Sequence, residues 1–147
     1  MKEIRRSAIV EHSAAEMYAL VDDIESYPRF LPWCQEASVA QVGAKKRATL
    51  AAGLRGIRQS FTTLNSNRPH EAIDMHLVEG PFRDFDAAWR FRPLTGQACE
   101  IAFSLRYQFA SLALAKLLEP LFNQIADTMV DAFTRRADEL YGAPREL

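Results

Sequence analysis

The sequence contains little of what would attach a chain to a metal, a phosphate group or a nucleic acid. Its 147 residues include two cysteines, three histidines and six glycines. Cys34 and Cys99 do not form a C-x-x-C pair, the histidines lack metal-ligand spacing, and the glycines form no phosphate-binding loop. The net charge is −1, whereas nucleic-acid-binding domains are usually strongly basic. We therefore expect no metal site, no cofactor and no DNA partner.

Long hydrophobic runs are also missing. The longest candidate, Ser111–Leu118, is interrupted by Lys116 and followed by Glu119 and Pro120, and it falls short of the ~20 apolar residues of a membrane span. The first residues, Met1–Arg6, are charged and contain no apolar signal-peptide core. These features predict a cytoplasmic protein whose cysteines are reduced and packed as small hydrophobic residues.

The composition is that of an ordinary globular domain. Hydrophobic residues make up 48% and charged residues 25% of the chain, which excludes a disordered, collagen-like or coiled-coil protein. A chain of this length buries enough apolar surface to fold without a disulfide or a metal. We find no repeat and no linker-like segment, so we predict one domain over residues 1–147.

Hydrophobic periodicity divides the chain into strands and helices. A strand is predicted over Glu3–Val10, followed by a helix that begins at Ser13, where Ser13 and Glu16 fit a capping box. The Tyr27–Pro28 pair ends that helix. From Glu36 to Phe109 the period changes to two, and several short turns interrupt it. This pattern predicts successive antiparallel strands with one buried face.

The last third of the sequence returns to helical spacing. Apolar residues follow at steps of three or four from Leu118 to Phe133, and Gly142 is a suitable helix end. Pro120 lies inside this pattern and predicts a kink, or a separate short helix over Leu112–Glu119. The element order predicts an α+β domain in which the long helix lies across the apolar face of the sheet.

Four segments of the sequence carry a resemblance to a known family. They are Tyr27-Pro28-x-Phe30-Leu31-Pro32-Trp33-Cys34, Gly80-Pro81-Phe82, Trp89-x-Phe91-x-Pro93-Leu94 and Met129-Val130-x-Ala132-Phe133-x-x-Arg136-Ala137. They resemble the START-like family of coenzyme Q-binding proteins and the ribosome association toxin RatA, also described as oligoketide cyclase/dehydrase or lipid-transport proteins. The resemblance implies the helix-grip fold, a curved antiparallel sheet of about six to seven strands around a long C-terminal helix, with an apolar cavity between them.

The apolar residues of the sheet and helix permit two interpretations. They form either a packed core or a lipid cavity, and the resemblance favours a ligand such as ubiquinone, bound in support of respiration. Such a protein would contact the membrane surface transiently. The small residues Ala48, Ala52 and Ala87 could leave room for the ligand. The residues expected in the cavity are Trp33, Phe61, Met75, Leu77, Phe82, Trp89, Phe91, Phe103, Leu105, Leu118, Phe122, Ile125 and Met129.

Two short motifs near this cavity also permit two interpretations each. Trp33, between Pro32 and Cys34, is either a plug at one end of the fold or a gate at the cavity mouth. The segment Gly80-Pro81-Phe82 is either a tight turn with a packed aromatic ring or a contact for a ligand headgroup.

An uneven charge distribution supports a second hypothesis. Six basic residues and no acidic ones lie between Ala37 and His70. They form either a solvated sheet face or a patch for an anionic partner. The resemblance implies that such a patch could bind a ribosomal subunit and block subunit association, as RatA-type members are described as doing. The patch residues are Lys45, Lys46, Arg47, Arg55 and Arg58.

Catalytic groupings are not evident. There is no G-x-S-x-G nucleophile motif. Asp84 and Asp86 alternate with Phe85 and should be solvated, and His76 should face away from the core. A cyclase or dehydrase needs a positioned acid or base, and no residue here suggests itself. We expect a protein without enzymatic activity, with the cyclase as a third alternative.

Overall fold

The computed structural model describes residues 1–142, which form seven strands and two α-helices. In chain order these are β1 (Lys2–Val10), α1 (Ala14–Asp22), β2 (Cys34–Val42), β3 (Lys45–Leu54), β4 (Ile57–Arg68), β5 (Ala72–Glu79), β6 (Phe82–Thr95), β7 (Ala98–Phe109) and α2 (Leu112–Tyr141). A 3-10 helix, Ile24–Arg29, follows α1. The predicted element order is confirmed.

The strands form one antiparallel sheet in the order β1-β7-β6-β5-β4-β3-β2. From β2 to β7 every strand pairs with its neighbour in sequence, while β1 pairs with β7 in a register from Lys2 opposite Tyr107 to Val10 opposite Cys99. The sheet curves around α2, which contacts β1 and β7 on one side and β3 on the other. The helix-grip arrangement predicted from the resemblance is thereby confirmed.

The first helix begins as the sequence predicts and ends earlier. The Glu16 amide donates to Ser13 Oγ at 3.1 Å, and the Ser13 amide donates to the Glu16 carboxylate at 3.0 Å. The chain leaves the α-helix at Asp23, before Tyr27–Pro28, and continues as the 3-10 helix. The buried Tyr27 hydroxyl donates to the carbonyl of Val21, which satisfies one of the acceptors left free at the helix end.

The long helix α2 is continuous, so the predicted separate helix over Leu112–Glu119 is wrong. Ser111 caps its start by accepting from the Leu114 amide at 3.2 Å, and Gly142 ends it with φ of 95°. Pro120 is tolerated because it lies on the exposed side of α2. Proline has no N–H, so the carbonyl of Lys116 lacks its helical hydrogen-bond partner. Lys116 is exposed, and water can therefore solvate this carbonyl.

Candidate ligand cavity and cationic groove

A small, partly open space lies between the sheet and α2. Its volume is about 60 Å³ and its walls are almost entirely apolar. It is bounded by the inward faces of β3 to β7, by the middle of α2, and by the segment from the 3-10 helix to Trp33. Around it the sheet and α2 pack directly against each other, so the interface is a packed core with a limited void.

Most of the predicted cavity residues lie in the wall of this space. They are Trp33, Phe61, Met75, Trp89, Phe103, Leu105, Phe122, Ile125 and Met129. The other four, Leu77, Phe82, Phe91 and Leu118, do not line it. Leu118, Phe82 and Phe91 are buried in the surrounding core, and Leu77 is half-buried against it.

The wall also contains residues outside the predicted set. Of the small residues noted in the sequence, Ala48 and Ala87 line the space, whereas Ala52 is buried elsewhere in the core. The remaining wall residues have no distinguishing sequence signal, because each also fits an ordinary strand or helix position. They are Ile24, Tyr27, Leu50, Thr63, Asn65 and Phe85.

Polar groups in the cavity wall are few. Thr63 and Asn65 are both buried on β4, and Thr63 Oγ1 donates to Asn65 Oδ1 at 2.7 Å. The Asn65 amide therefore has two N–H donors that Thr63 does not use. Burial raises the pKa of Tyr27 far above its ordinary value, with a smaller contribution from Asp22, so this phenol does not serve as a base near neutral pH. The cavity wall contains no carboxylate and no histidine.

Trp33 separates this space from a second, larger one. Its indole is 3% exposed and lines both the inner cavity and an outer groove of about 420 Å³. The Trp33 carbonyl accepts from the Gly53 amide at 2.8 Å. A Cβ at Gly53 would lie 2.1 Å from Gln35 Nε2, so a larger residue here would require the Gln35 side chain to move. Trp33 is thus the wall between cavity and groove, which fits both the plug and the gate interpretation.

The outer groove, which we call the arginine groove, lies between the Arg29–Trp33 segment, the end of β3 and the second half of α2. It contains the guanidinium groups of Arg29, Arg135 and Arg136 and one carboxylate, that of Glu139. Its apolar wall includes Phe30 and Leu54. The sequence gives no sign of this groove, because Arg29 is distant in sequence from Arg135 and Arg136 and only the fold brings them together.

The predicted basic patch does not form one surface. Lys45, Lys46 and Arg47 begin β3, while Arg55 follows its end, and ten extended residues span roughly 30 Å. Lys46 is half-buried and bonds both oxygens of Asp22 at 2.8 and 2.9 Å. Arg58 pairs with Glu36 at 2.8 Å. Lys45, Arg47 and Arg55 remain exposed, at opposite ends of the strand.

The remaining candidate groups are accounted for by local contacts. His76 is exposed, as predicted, and pairs with Asp86 at 2.9 Å. Both cysteines are buried and free, and burial raises the pKa of each thiol to about 11. Within residues 1–142 there is no group of three or more potential ligand side chains that could hold a metal ion. No helix in this part of the chain is long and apolar enough to cross a membrane.

His12, for which the sequence predicts no role, is buried in the structure. His12 is 4% exposed, and its Nε2 lies 2.7 Å from the carboxylate of Asp138. This pair joins the β1–α1 connection to the C-terminal end of α2. Near it the Tyr141 hydroxyl donates to the Glu16 carbonyl at 3.3 Å. The pair has no predictive signal in the sequence because 126 positions separate its members.

Comparison with known proteins confirms the family resemblance. The family described as "Polyketide cyclase / dehydrase and lipid transport" matches residues 10–134. A Pseudomonas aeruginosa protein named "Ribosome association toxin RatA" is 40% identical over 140 residues, which are 95% of this chain and 97% of the relative. A Xenopus laevis protein named "Coenzyme Q-binding protein COQ10 homolog B, mitochondrial" is 29% identical over 95% of this chain and 59% of its own length. These relatives are named as toxin and binding proteins rather than as enzymes.

Solved structures confirm the fold. The Zhui aromatase/cyclase from Streptomyces sp. R1128 superposes with a TM-score of 0.81 at 14% identity, covering 94% of each chain. A START superfamily protein from Mycobacterium smegmatis has a TM-score of 0.77 at 19% identity, covering 94% of this chain and 98% of that one. At such low identity the similarity establishes the fold alone.

Proposed function

Since this chain belongs to the polyketide cyclase/dehydrase and lipid transport family, we propose that it is a non-catalytic protein that binds an isoprenoid quinone or another lipid between the sheet and α2. The observation that carries this proposal is the apolar cavity, which contains neither a carboxylate nor a histidine. Apolar walls with a few polar groups are typical of small-molecule sites. A lipid ligand also implies transient contact with a membrane surface.

Binding requires the cavity to expand, because about 60 Å³ is well below the roughly 300–1,000 Å³ of ligand sites. Met75 and Met129 in the wall are unbranched and adapt their shape readily. Trp33 separates the cavity from the arginine groove, and its displacement would join the two spaces. The Asn65 N–H groups, which Thr63 does not use, would then offer donors to a quinone carbonyl.

The protein contains its own probe for this experiment, because its two tryptophans, Trp33 and Trp89, both line the cavity. We expect decylubiquinone to quench their fluorescence saturably and to raise the melting temperature. Ala87→Val reduces the space and should weaken binding at least about tenfold. Ala88→Val is the matched control, because Ala88 lies next to Ala87 on the opposite face of β6, and it should bind like the wild type.

Two results would contradict the proposal. One is the absence of both saturable quenching and a melting shift in folded wild-type protein. The other is equal binding by the Ala87→Val and Ala88→Val variants, which would place the quinone elsewhere on the surface.

A second candidate function is association with a ribosomal subunit. The observation that favours it is the 40% identity to a protein named ribosome association toxin over nearly the full length of both chains. The exposed Lys45, Arg47 and Arg55 could contact phosphate groups of the ribosomal RNA. Added wild-type protein should shift sucrose-gradient profiles toward free subunits, and the triple change to glutamate should reduce the shift. An unchanged profile with wild-type protein excludes this function.

A further inference from the structure

The arginine groove has a marked excess of positive charge over a partly apolar floor. Arg29 reaches it from the 3-10 helix, and Arg135 and Arg136 reach it from α2. Arg29 and Arg135 are exposed, and neither forms an ion pair with any residue between 1 and 142. Among the described residues the groove contains a single carboxylate, that of Glu139, which leaves a net charge of +2 from these four side chains.

Arg136 is held in place at the centre of this groove. Its guanidinium carbon lies 5.2 Å from the ring centroid of Phe30, a cation–π arrangement. Its Nη1 donates to Glu139 at 3.3 Å, and its side chain is 20% exposed. A guanidinium fixed in this way is already oriented before a ligand arrives, so little conformational entropy is lost on binding.

Two buried N–H groups beside the groove have no acceptor among the described residues. They are Nε of Arg136 and Nε1 of Trp33, and both side chains line the groove. Trp33 is 97% buried, given its 3% exposure. Buried donors in folded proteins are nearly always hydrogen-bonded, so these two N–H groups are candidates for an acceptor that a ligand brings to the groove.

We propose that the arginine groove binds a phosphate group, carried by a lipid headgroup or free in solution. Guanidinium forks bind phosphate oxygens in bidentate fashion, and three of them converge here from two separate elements. The floor formed by Phe30, Trp33 and Leu54 would accept the first apolar atoms of a lipid. The position of the remaining apolar chain beyond Trp33 rests on the proposed function. The phosphate site does not rest on it.

The test uses soluble probes that separate the two sources. Dihexanoyl phosphatidic acid, dihexanoyl glycerol and inorganic phosphate are titrated into the full-length protein by calorimetry. We expect the phosphatidic acid to bind, and the uncharged glycerol compound to bind at least about tenfold more weakly. Stronger binding of the phosphatidic acid than of inorganic phosphate identifies a lipid headgroup site, while equal binding identifies a free phosphate site.

Variants locate the site without disturbing the fold. Arg29→Gln and Arg135→Gln remove exposed charges, and each should weaken binding of the phosphatidic acid about tenfold. Arg83→Gln, at an exposed position on β6 outside the groove, is the control and should bind like the wild type. Equal losses in all three variants, or no binding of either phosphate probe to folded wild-type protein, would overturn the proposal.

Decylubiquinone distinguishes this proposal from the proposed function. Its headgroup is uncharged, so Arg29→Gln and Arg135→Gln should leave its binding unchanged. If phosphatidic acid binds and the quinone does not, the phosphate site is supported and the quinone function fails. If the quinone binds and neither phosphate probe does, the function is supported and the phosphate site is wrong.

Discussion

The two halves of the interface under α2 are packed differently. Toward the start of the helix, Phe122 meets the rings of Phe82, Phe109 and Tyr107 at centroid distances of 5.0, 5.6 and 5.8 Å. Further along, Ile125 and Met129 face a void whose wall includes Ala48 and Ala87. The same helix and the same sheet thus form a filled aromatic cluster around Phe82 and, beside it, an unfilled space whose wall Phe122 also lines.

This difference shows where the fold derives its stability and where it can accommodate a ligand. Interlocking aromatic rings bury large areas and tolerate little displacement. A wall containing alanine and methionine loses fewer contacts when it opens. We therefore treat the end near Phe82, which we call the aromatic end, as the stable anchor and the cavity end as the adaptable part. The Phe82→Ala, Met75→Ala and Ala87→Val variants below test that assignment.

The largest effect is expected at the aromatic end. Phe82 is buried and packs against five aromatic rings, so Phe82→Ala should lower the free energy of unfolding by about 3–5 kcal/mol. Met75 on the cavity wall is only half-buried, and Met75→Ala should cost about 2 kcal/mol or less. Urea denaturation measures both. Equal costs would contradict the assignment of the aromatic end as the anchor.

The second effect concerns the fastening of the C-terminal end of α2. His12→Ala removes the buried partner of Asp138 and should destabilise the protein by about 2 kcal/mol, since a hydrogen bond to a charged group is worth roughly 1.5–3 kcal/mol. The control is His76→Ala, which breaks an exposed His–Asp pair of similar length and should cost less than about 1 kcal/mol. Similar losses in the two variants would show that the buried pair does not fasten α2.

A smaller effect of opposite sign is expected from filling the void. Ala87→Val adds methyl groups to a space that already exists, so it should raise the free energy of unfolding by up to about 1 kcal/mol. The same substitution should weaken quinone binding. A destabilisation of more than about 1 kcal/mol would show that the strands and α2 leave no usable room at this position.

At neutral pH the smallest effect is that of the thiols, because it develops only as the pH approaches and passes 9. Burial raises the pKa of Cys34 and Cys99 to about 11 in the folded protein, from an ordinary value of 9.0. Between pH 9 and 11 the unfolded chain loses these protons and the folded chain keeps them, so the thiols progressively reduce stability as the pH rises. Denaturation of Cys34→Ala and Cys99→Ala variants should show a shallower decline over this range. An identical decline would exclude a contribution from the thiols.

The sequence predicts the strands and helices better than it predicts the cavity and the groove between them. Period-two alternation and the Ser13 capping box correctly indicate the strands and the start of α1, because both depend on neighbouring residues. The separate helix predicted before Pro120 is wrong because exposure, which lets water solvate the freed carbonyl, is a tertiary property. Whether Phe82 belongs to the aromatic end or to the cavity wall depends on how β6 twists against α2. Arg29 and Arg135 come together only in the complete fold.

The pairing of β1 with β7 has a consequence for how the chain is assembled. Each strand from β3 onward can form a hairpin with the strand made just before it, since these neighbours are adjacent in sequence. The partner of β1 is β7, the last strand in the sequence. During synthesis β1 therefore has no native partner until all the other strands have been made. Pairing β1 with β7 early closes a long loop, and no local contact offsets the conformational entropy that this loses. We therefore expect β1 to join the sheet late in folding, with its backbone unprotected from hydrogen exchange until then.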